Sequence, residues 1–145
     1  MASTPIPATF PTADEDALQA LQGAVSVLAA KWSVIVLARL ASGTHRFNEL
    51  LRQIDGVSRR MLSATLRQLE RDGLVKRHVY ARVPARVEYE LSPLGENLLV
   101  ALAPLAGWSV ANRTRVTDAR ERFDRLQQWR AESEQIQARS GPRIV

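Results

Sequence analysis

SRRMLSATLRQLERDGL, residues 58–74, sets Leu62, Leu66 and Leu69 on one side of a helix of about 3.6 residues per turn, with Arg60, Ser63 and Arg67 roughly opposite. One side asks for a core and the other for an anion. Ser58 stands where an N-cap belongs, because its hydroxyl can accept from the unpaired N–H groups of the first turn, and Gly73 is placed as a left-handed stop. The helix is therefore short, bounded and basic at its N-terminal end. Unpaired N–H groups and the helix dipole already favour negative charge there, so Arg59 and Arg60 suit a phosphate or a guanine edge. Taken alone, the pattern also fits an amphipathic helix whose solvated side happens to carry arginine.

The neighbouring stretches narrow the choice. KWSVIVLARLA, residues 31–41, is apolar nearly all round and belongs at the centre of a domain. Ser42-Gly43 ends it, and Phe47, Leu50, Leu51 and Ile54 form a further apolar stripe joined through Asp55-Gly56-Val57 to the Ser58 helix. A helix, a tight glycine-bearing turn and a second helix with a basic outer side make the helix-turn-helix pattern, in which the second helix enters the major groove. After Leu74 the period changes to two. Lys76, His78 and Tyr80 alternate with Val75, Arg77 and Val79, and later Val87, Tyr89 and Leu91 alternate with Arg86, Glu88 and Glu90. The two strands, joined by Ala81 to Ala85, make a hairpin whose tip offers Arg82 and Arg86 to phosphates or to the minor groove. Directly after a helix-turn-helix, such a hairpin is a wing.

Apolar stripes also flank this centre. Thr12 with Glu15 matches a capping box, and a helix from near Ala13 carries Leu18, Leu21, Val25 and Leu28. Ser92-Pro93 starts another helix with Leu94, Leu98, Leu102, Leu105 and Trp108 in line, and Pro104 should kink or divide it. A further helix from about Val116 carries Ala119, Phe123, Leu126 and Trp129 on one side. This is more apolar surface than one small domain needs. The expected fold is mostly α with a small β-hairpin wing: a winged helix-turn-helix with extra N- and C-terminal helices forming a dimer interface. Residues 1–12 read as a flexible arm, 13–112 as the winged helix-turn-helix domain with its flanking dimerisation helices, 113–139 as a C-terminal helix contributing to the dimer, and 140–145 as a disordered tail.

A chain of 145 residues, 46% hydrophobic, is enough for one packed domain. The lack of cysteine excludes disulfides, thiolate metal sites, thiol nucleophiles and cysteine redox switches. With no run of eighteen apolar residues and no signal-peptide pattern at the start, the expectation is a soluble, cytoplasmic, nucleoid-associated protein with no membrane partner. The net charge of +5 is concentrated in residues 31–91, which hold twelve basic and six acidic side chains. Only Lys31 and Lys76 among the twenty basic residues are lysine, and arginine brings the planar fork that suits phosphate and guanine. His45 and His78 fall on different elements without a paired carboxylate or metal-ligand spacing, so no enzyme, no metal site and no cofactor is expected.

Three pieces of the chain carry a resemblance: Lys31-Trp32 opening an apolar helix, Ser58 followed by Met61-Leu62 and then Leu66 to Leu74, and Val83-Pro84-Ala85-Arg86-Val87-Glu88-Tyr89 in the wing. From about Leu18 to Trp108 the sequence resembles the HxlR-type winged helix-turn-helix regulators of bacteria. The resemblance implies a homodimeric transcriptional regulator that binds double-stranded DNA, with the Ser58 helix in the major groove and the wing on the flanking backbone. Many members of that family resemble sensors that use a cysteine near the N-terminus, and this cysteine-free chain departs from them. A noncovalent small-molecule effector is the remaining expectation, with Trp32, Trp108 and Phe123 lining an apolar pocket or, more plainly, filling core.

A twofold dimer would hold its recognition helices about 34 Å apart and select an inverted repeat as operator. Arg60, Ser63 and Arg67 are expected at base edges; Ser58, Arg59, Arg82, Arg86 and Arg46 are expected at phosphates. The competing expectation is a winged-helix protein-protein interaction module that does not bind DNA and has no use for the outward arginines.

Overall fold

The computed structural model describes Phe10 and residues 14–141. The expected arm over residues 1–12 and tail over 140–145 lie outside the described residues, apart from Phe10, Ser140 and Gly141. Helix α1 spans Glu15–Ala29, and its cap is Asp14, whose carboxylate accepts the Ala17 N–H at 3.1 Å. The sequence pattern puts the cap at Thr12, which is not among the described residues; the aspartate caps equally well and adds its charge to the helix dipole. Then follow α2 (Ser33–Leu40), the two-residue strand β1 (His45–Arg46), α3 (Phe47–Gln53), α4 (Arg59–Arg71), β2 (Val75–Tyr80), β3 (Arg86–Leu91) and α5 (Pro93–Arg139). Helix and hairpin stand where the periodicity places them, and the fold is a winged helix-turn-helix.

The chain divides into two compact units, residues 1–100 and 101–145. In the first, Val36, Leu37 and Leu40 of α2 meet Leu50 of α3 and Leu62, Leu66 and Leu69 of α4 in one buried cluster, closed by Trp32, Ile54, Leu74, Val75 and Tyr89. The turn between α3 and α4 bends at Gly56, whose φ of +78° a side chain would strain. Helix α2 is not enclosed on all sides as its composition suggests: Val34 and Ile35 are 43% and 39% exposed.

The sheet is antiparallel in the order β1-β3-β2. The hairpin register runs from Val75 opposite Leu91 to Tyr80 opposite Arg86, as the alternation requires. The third strand is new: His45 pairs with Tyr89 and Arg46 with Glu88. Two residues are too few to show a period, so sequence alone leaves them as loop. Ser92 caps α5, accepting the Gly95 N–H at 3.0 Å while donating to the Gly73 carbonyl at 2.5 Å. Gly95 lies so close to the Leu74 carbonyl oxygen that a Cβ there would stand 2.2 Å from it.

Helix α5 runs through Pro104 without a division, so the separate helix expected from about Val116 is its continuation. The proline removes one backbone donor, and the Ala- and Leu-rich turns around it carry the helix past. Within the second unit the helix buries no residue, and Trp108, Phe123, Leu126, Trp129 and Ile136 are all more than half exposed. An 18-residue window of α5 reaches a mean hydropathy of 1.3, long and apolar enough to cross a membrane by length and composition.

Candidate nucleic-acid interface

Helix α4 presents the two sides its spacing demands. Leu62, Leu66 and Leu69 are buried, while Arg60, Ser63 and Arg67 are exposed on the opposite side, next to Ala64 and Arg71. Ser58 is the N-cap, its Oγ accepting the Met61 N–H at 3.1 Å, and its own O–H can still donate outward. Asp72 and Gly73 close the helix, with Gly73 at φ +73°. Met61, also on this helix, is 43% exposed.

Beside the start of α4 lies a cleft of about 450 Å³ between α3 and the wing. Arg46, Arg52, Arg59, Arg82 and Arg86 all line it, together with Phe47, Asn48, Glu49 and Pro84. Four of those arginines are expected from sequence to meet phosphate; Arg52 and the polar Asn48 are not. A helical reading of α3 could have found them, since Asn48 and Arg52 are one turn apart on the side away from Leu50 and Leu51. Five guanidinium groups and one lining carboxylate make a strongly anion-attracting surface.

Two of the cleft arginines, Arg59 and Arg86, are held in place by neighbouring side chains. The Arg59 guanidinium donates to Asn48 Oδ1 at 3.2 Å and sits 5.3 Å from the Phe47 ring centroid. It therefore faces the α3 side of the cleft, apart from the outward row of Arg60, Ser63 and Arg67. Arg86 lies 5.6 Å from the Tyr80 ring and pairs through Nε and Nη2 with Glu88. Glu49 accepts the Arg46 backbone N–H at 2.7 Å, and that bond, helped by the charges of Arg46 and Arg52, holds its carboxyl below the usual carboxylate value. On the same polar face of the sheet, Glu90 accepts from His78 at 2.9 Å and from Thr44 at 3.3 Å, and the His78 bond leads in lowering its pKa.

The profile of the HxlR-like helix-turn-helix family matches residues 27–117. The chain belongs to that family. As an HxlR-type protein it is a helix-turn-helix, DNA-binding regulator of transcription. It is 45% identical over 91 residues to the uncharacterised HTH-type transcriptional regulator YtfH of Escherichia coli K12, covering 63% of this chain and 72% of that one. A structure named as a MarR-family transcriptional regulator from Enterococcus faecalis V583 superposes with a TM-score of 0.64 at 36% identity, covering 74% of this HxlR-type chain and 96% of the other. The reduced form of the regulator YodB from B. subtilis matches with a TM-score of 0.59 at 29% identity, covering 62% and 88%. Both matches show the winged-helix architecture. The HxlR match ends at residue 117, whereas α5 continues to Arg139.

The aromatic residues expected around a ligand are placed differently from one another. Trp32 is buried in the core of the first unit with Lys31 Nζ 4.7 Å from its ring centroid, and its Nε1 has no acceptor among the described residues. Trp108 and Phe123 are exposed on α5. Among the described residues no group of three or more His, Asp or Glu lies close enough together to hold a metal ion.

Proposed function

We propose that this protein binds a specific double-stranded operator as a homodimer on an inverted repeat, in the cytoplasm on chromosomal DNA. The observation that carries the reading is the outward row of Arg60, Ser63 and Arg67 on α4, backed by three buried leucines and flanked by the five-arginine cleft. Its geometry suits two tasks. The row on α4 can follow the base edges of a major groove, where an arginine fork pairs with guanine O6 and N7. The cleft, with Arg46, Arg52, Arg59, Arg82 and Arg86, suits the sugar-phosphate backbone alongside. Ser58, at the helix N-terminus, suits a phosphate oxygen.

The homodimer reading rests on apolar surface left uncovered in one chain: Leu21, Val25, Val34 and Ile35 in the first unit, and Trp108, Phe123, Leu126 and Trp129 on α5. We assign Trp108 and Phe123 to the contact between subunits in place of an effector pocket. The window of this helix with the hydropathy of a membrane span lies ahead of residue 113, and residues 113–139 carry charges throughout, which suits a water-exposed pair of helices over that second stretch.

Selecting bound DNA from a random pool tests the reading directly. An inverted repeat with half-site centres about 10 bp apart is the expected product, and no enrichment of any duplex would overturn it in favour of a protein-binding module. On the selected site, Arg67→Ala should cost about 1–3 kcal/mol and relax one base position, whereas Arg82→Ala should weaken selected and random duplexes alike. Equal losses on both duplexes for Arg67→Ala would remove its reading role.

A further inference from the structure

Glu88 is the buried carboxylate of the wing. Strand alternation places it on the polar side of β3, yet it is only 8% exposed. Its Oε1 receives Nε and Nη2 of Arg86 from its own strand and has Nε of Arg46, directly across the β1-β3 register, at 3.8 Å. Both arginines line the cleft that we assign to the DNA backbone, and Glu88 itself stands behind them.

Two physical requirements meet at this carboxylate. Burying it is unfavourable unless it is paired and hydrogen-bonded, which Arg46 and Arg86 provide. Five guanidinium groups around one cleft repel one another, so without a counter-charge the long arginine side chains would spread into solvent before any phosphate arrives. Glu49 meets part of that need from the cleft lining beside Arg46 and Arg52, while Glu88 supplies the charge next to Arg46 and Arg86 and ties the wing strand to Arg46, the residue before α3.

We propose that Glu88 is a positioning residue for backbone binding: it presets Arg46 and Arg86 in the cleft so that their remaining N–H groups meet a phosphate already oriented. This rests on the DNA reading above. The sign of its effect separates it from a bystander. A carboxylate near phosphate that did nothing else would weaken DNA binding, and removing it would tighten the complex. A positioning carboxylate does the reverse.

The experiment measures binding of the full chain to a mixed-sequence duplex of about 30 bp by fluorescence anisotropy over a range of salt concentrations. Glu88→Gln keeps the shape and loses the charge. It should bind about tenfold more weakly at low salt and reduce the slope of log affinity against log salt by about 0.9 for each phosphate no longer neutralised. In an Arg46→Ala/Arg86→Ala background the same substitution should cause no further weakening, because nothing is left to position. Should Glu88→Gln fail to fold by circular dichroism, Glu88→Asp keeps the charge but withdraws it by one methylene. It should still bind several-fold more weakly, where a bystander charge would leave affinity unchanged. Equal or tighter binding by a folded Glu88→Gln, or unchanged affinity of Glu88→Asp, overturns the proposal while leaving the DNA reading intact. Failure of the unsubstituted protein to bind any duplex overturns the DNA reading and this proposal with it.

Discussion

Leu66 and Leu126 are the same side chain on the same kind of backbone, and the molecule treats them oppositely. Leu66 is 1% exposed, at the centre of a cluster drawn from α2, α3 and α4, whereas Leu126 is 55% exposed on a helix that buries nothing of its own over residues 101–139. Both belong to helical stripes of equal clarity in the sequence. A stripe states that a helix has an apolar side; whether that side is covered by its own chain depends on which elements the chain folds back onto it. In residues 1–100 three helices and a sheet do so, and beyond residue 100 no such layer exists among the described residues.

Truncating the two leucines makes the contrast measurable. Leu66→Ala should destabilise the folded chain by roughly 2–5 kcal/mol in urea unfolding, through reduced burial and the cavity left behind. Leu126→Ala should change that unfolding by less than about 0.5 kcal/mol and instead weaken self-association in sedimentation velocity. Equal destabilisation by both would break the comparison and mean that the long helix is packed by its own chain.

The two helical glycines of α5 sharpen it. Gly95 faces the Leu74 carbonyl, and an added Cβ would press on backbone that cannot swing away, so Gly95→Ala should cost about 1–3 kcal/mol or more despite alanine's better helix propensity. Gly107 meets nothing within 4 Å, so Gly107→Ala should stabilise the helix by about 0.5–1 kcal/mol. Thermal unfolding of both variants reads the difference in sign.

The smallest expected effect is electrostatic and confined to the sheet. Glu90, held below the usual carboxylate value of 4.5 chiefly by its bond to His78, favours the folded state above the unfolded-state value, and that contribution fades as pH falls through its lower folded value. His78→Asn should move the Glu90 titration in the folded protein up toward 4.5, seen in the carboxyl carbon shift by NMR. An unmoved titration would mean that the polar face of the sheet is no more organised than the long helix.

Much of the interface was legible because its signals are local. Ser58 as cap, the three leucines inside α4, the outward arginines and the hairpin alternation each involve residues within one or two turns of one another, where periodicity speaks directly. What was not legible depends on distant partners. Strand β1 exists because β3 lies beside it, not because two residues prefer extension. Buried Glu88 has a partner in Arg46, some forty residues earlier, that only the β1-β3 pairing brings to it, and Arg52 joins the cleft only when the wing folds against α3.

The order of side chains along the chain was enough to determine the helix-turn-helix, the wing and the basic outer side of α4, since each follows from spacing and capping chemistry. Tertiary structure alone decided which apolar stripes became core, which carboxylate went behind the arginines, and which five guanidinium groups share one cleft. Those outcomes come from non-local contacts: burial and charge pairing are properties of surfaces brought together, and no stretch of sequence contains both surfaces at once.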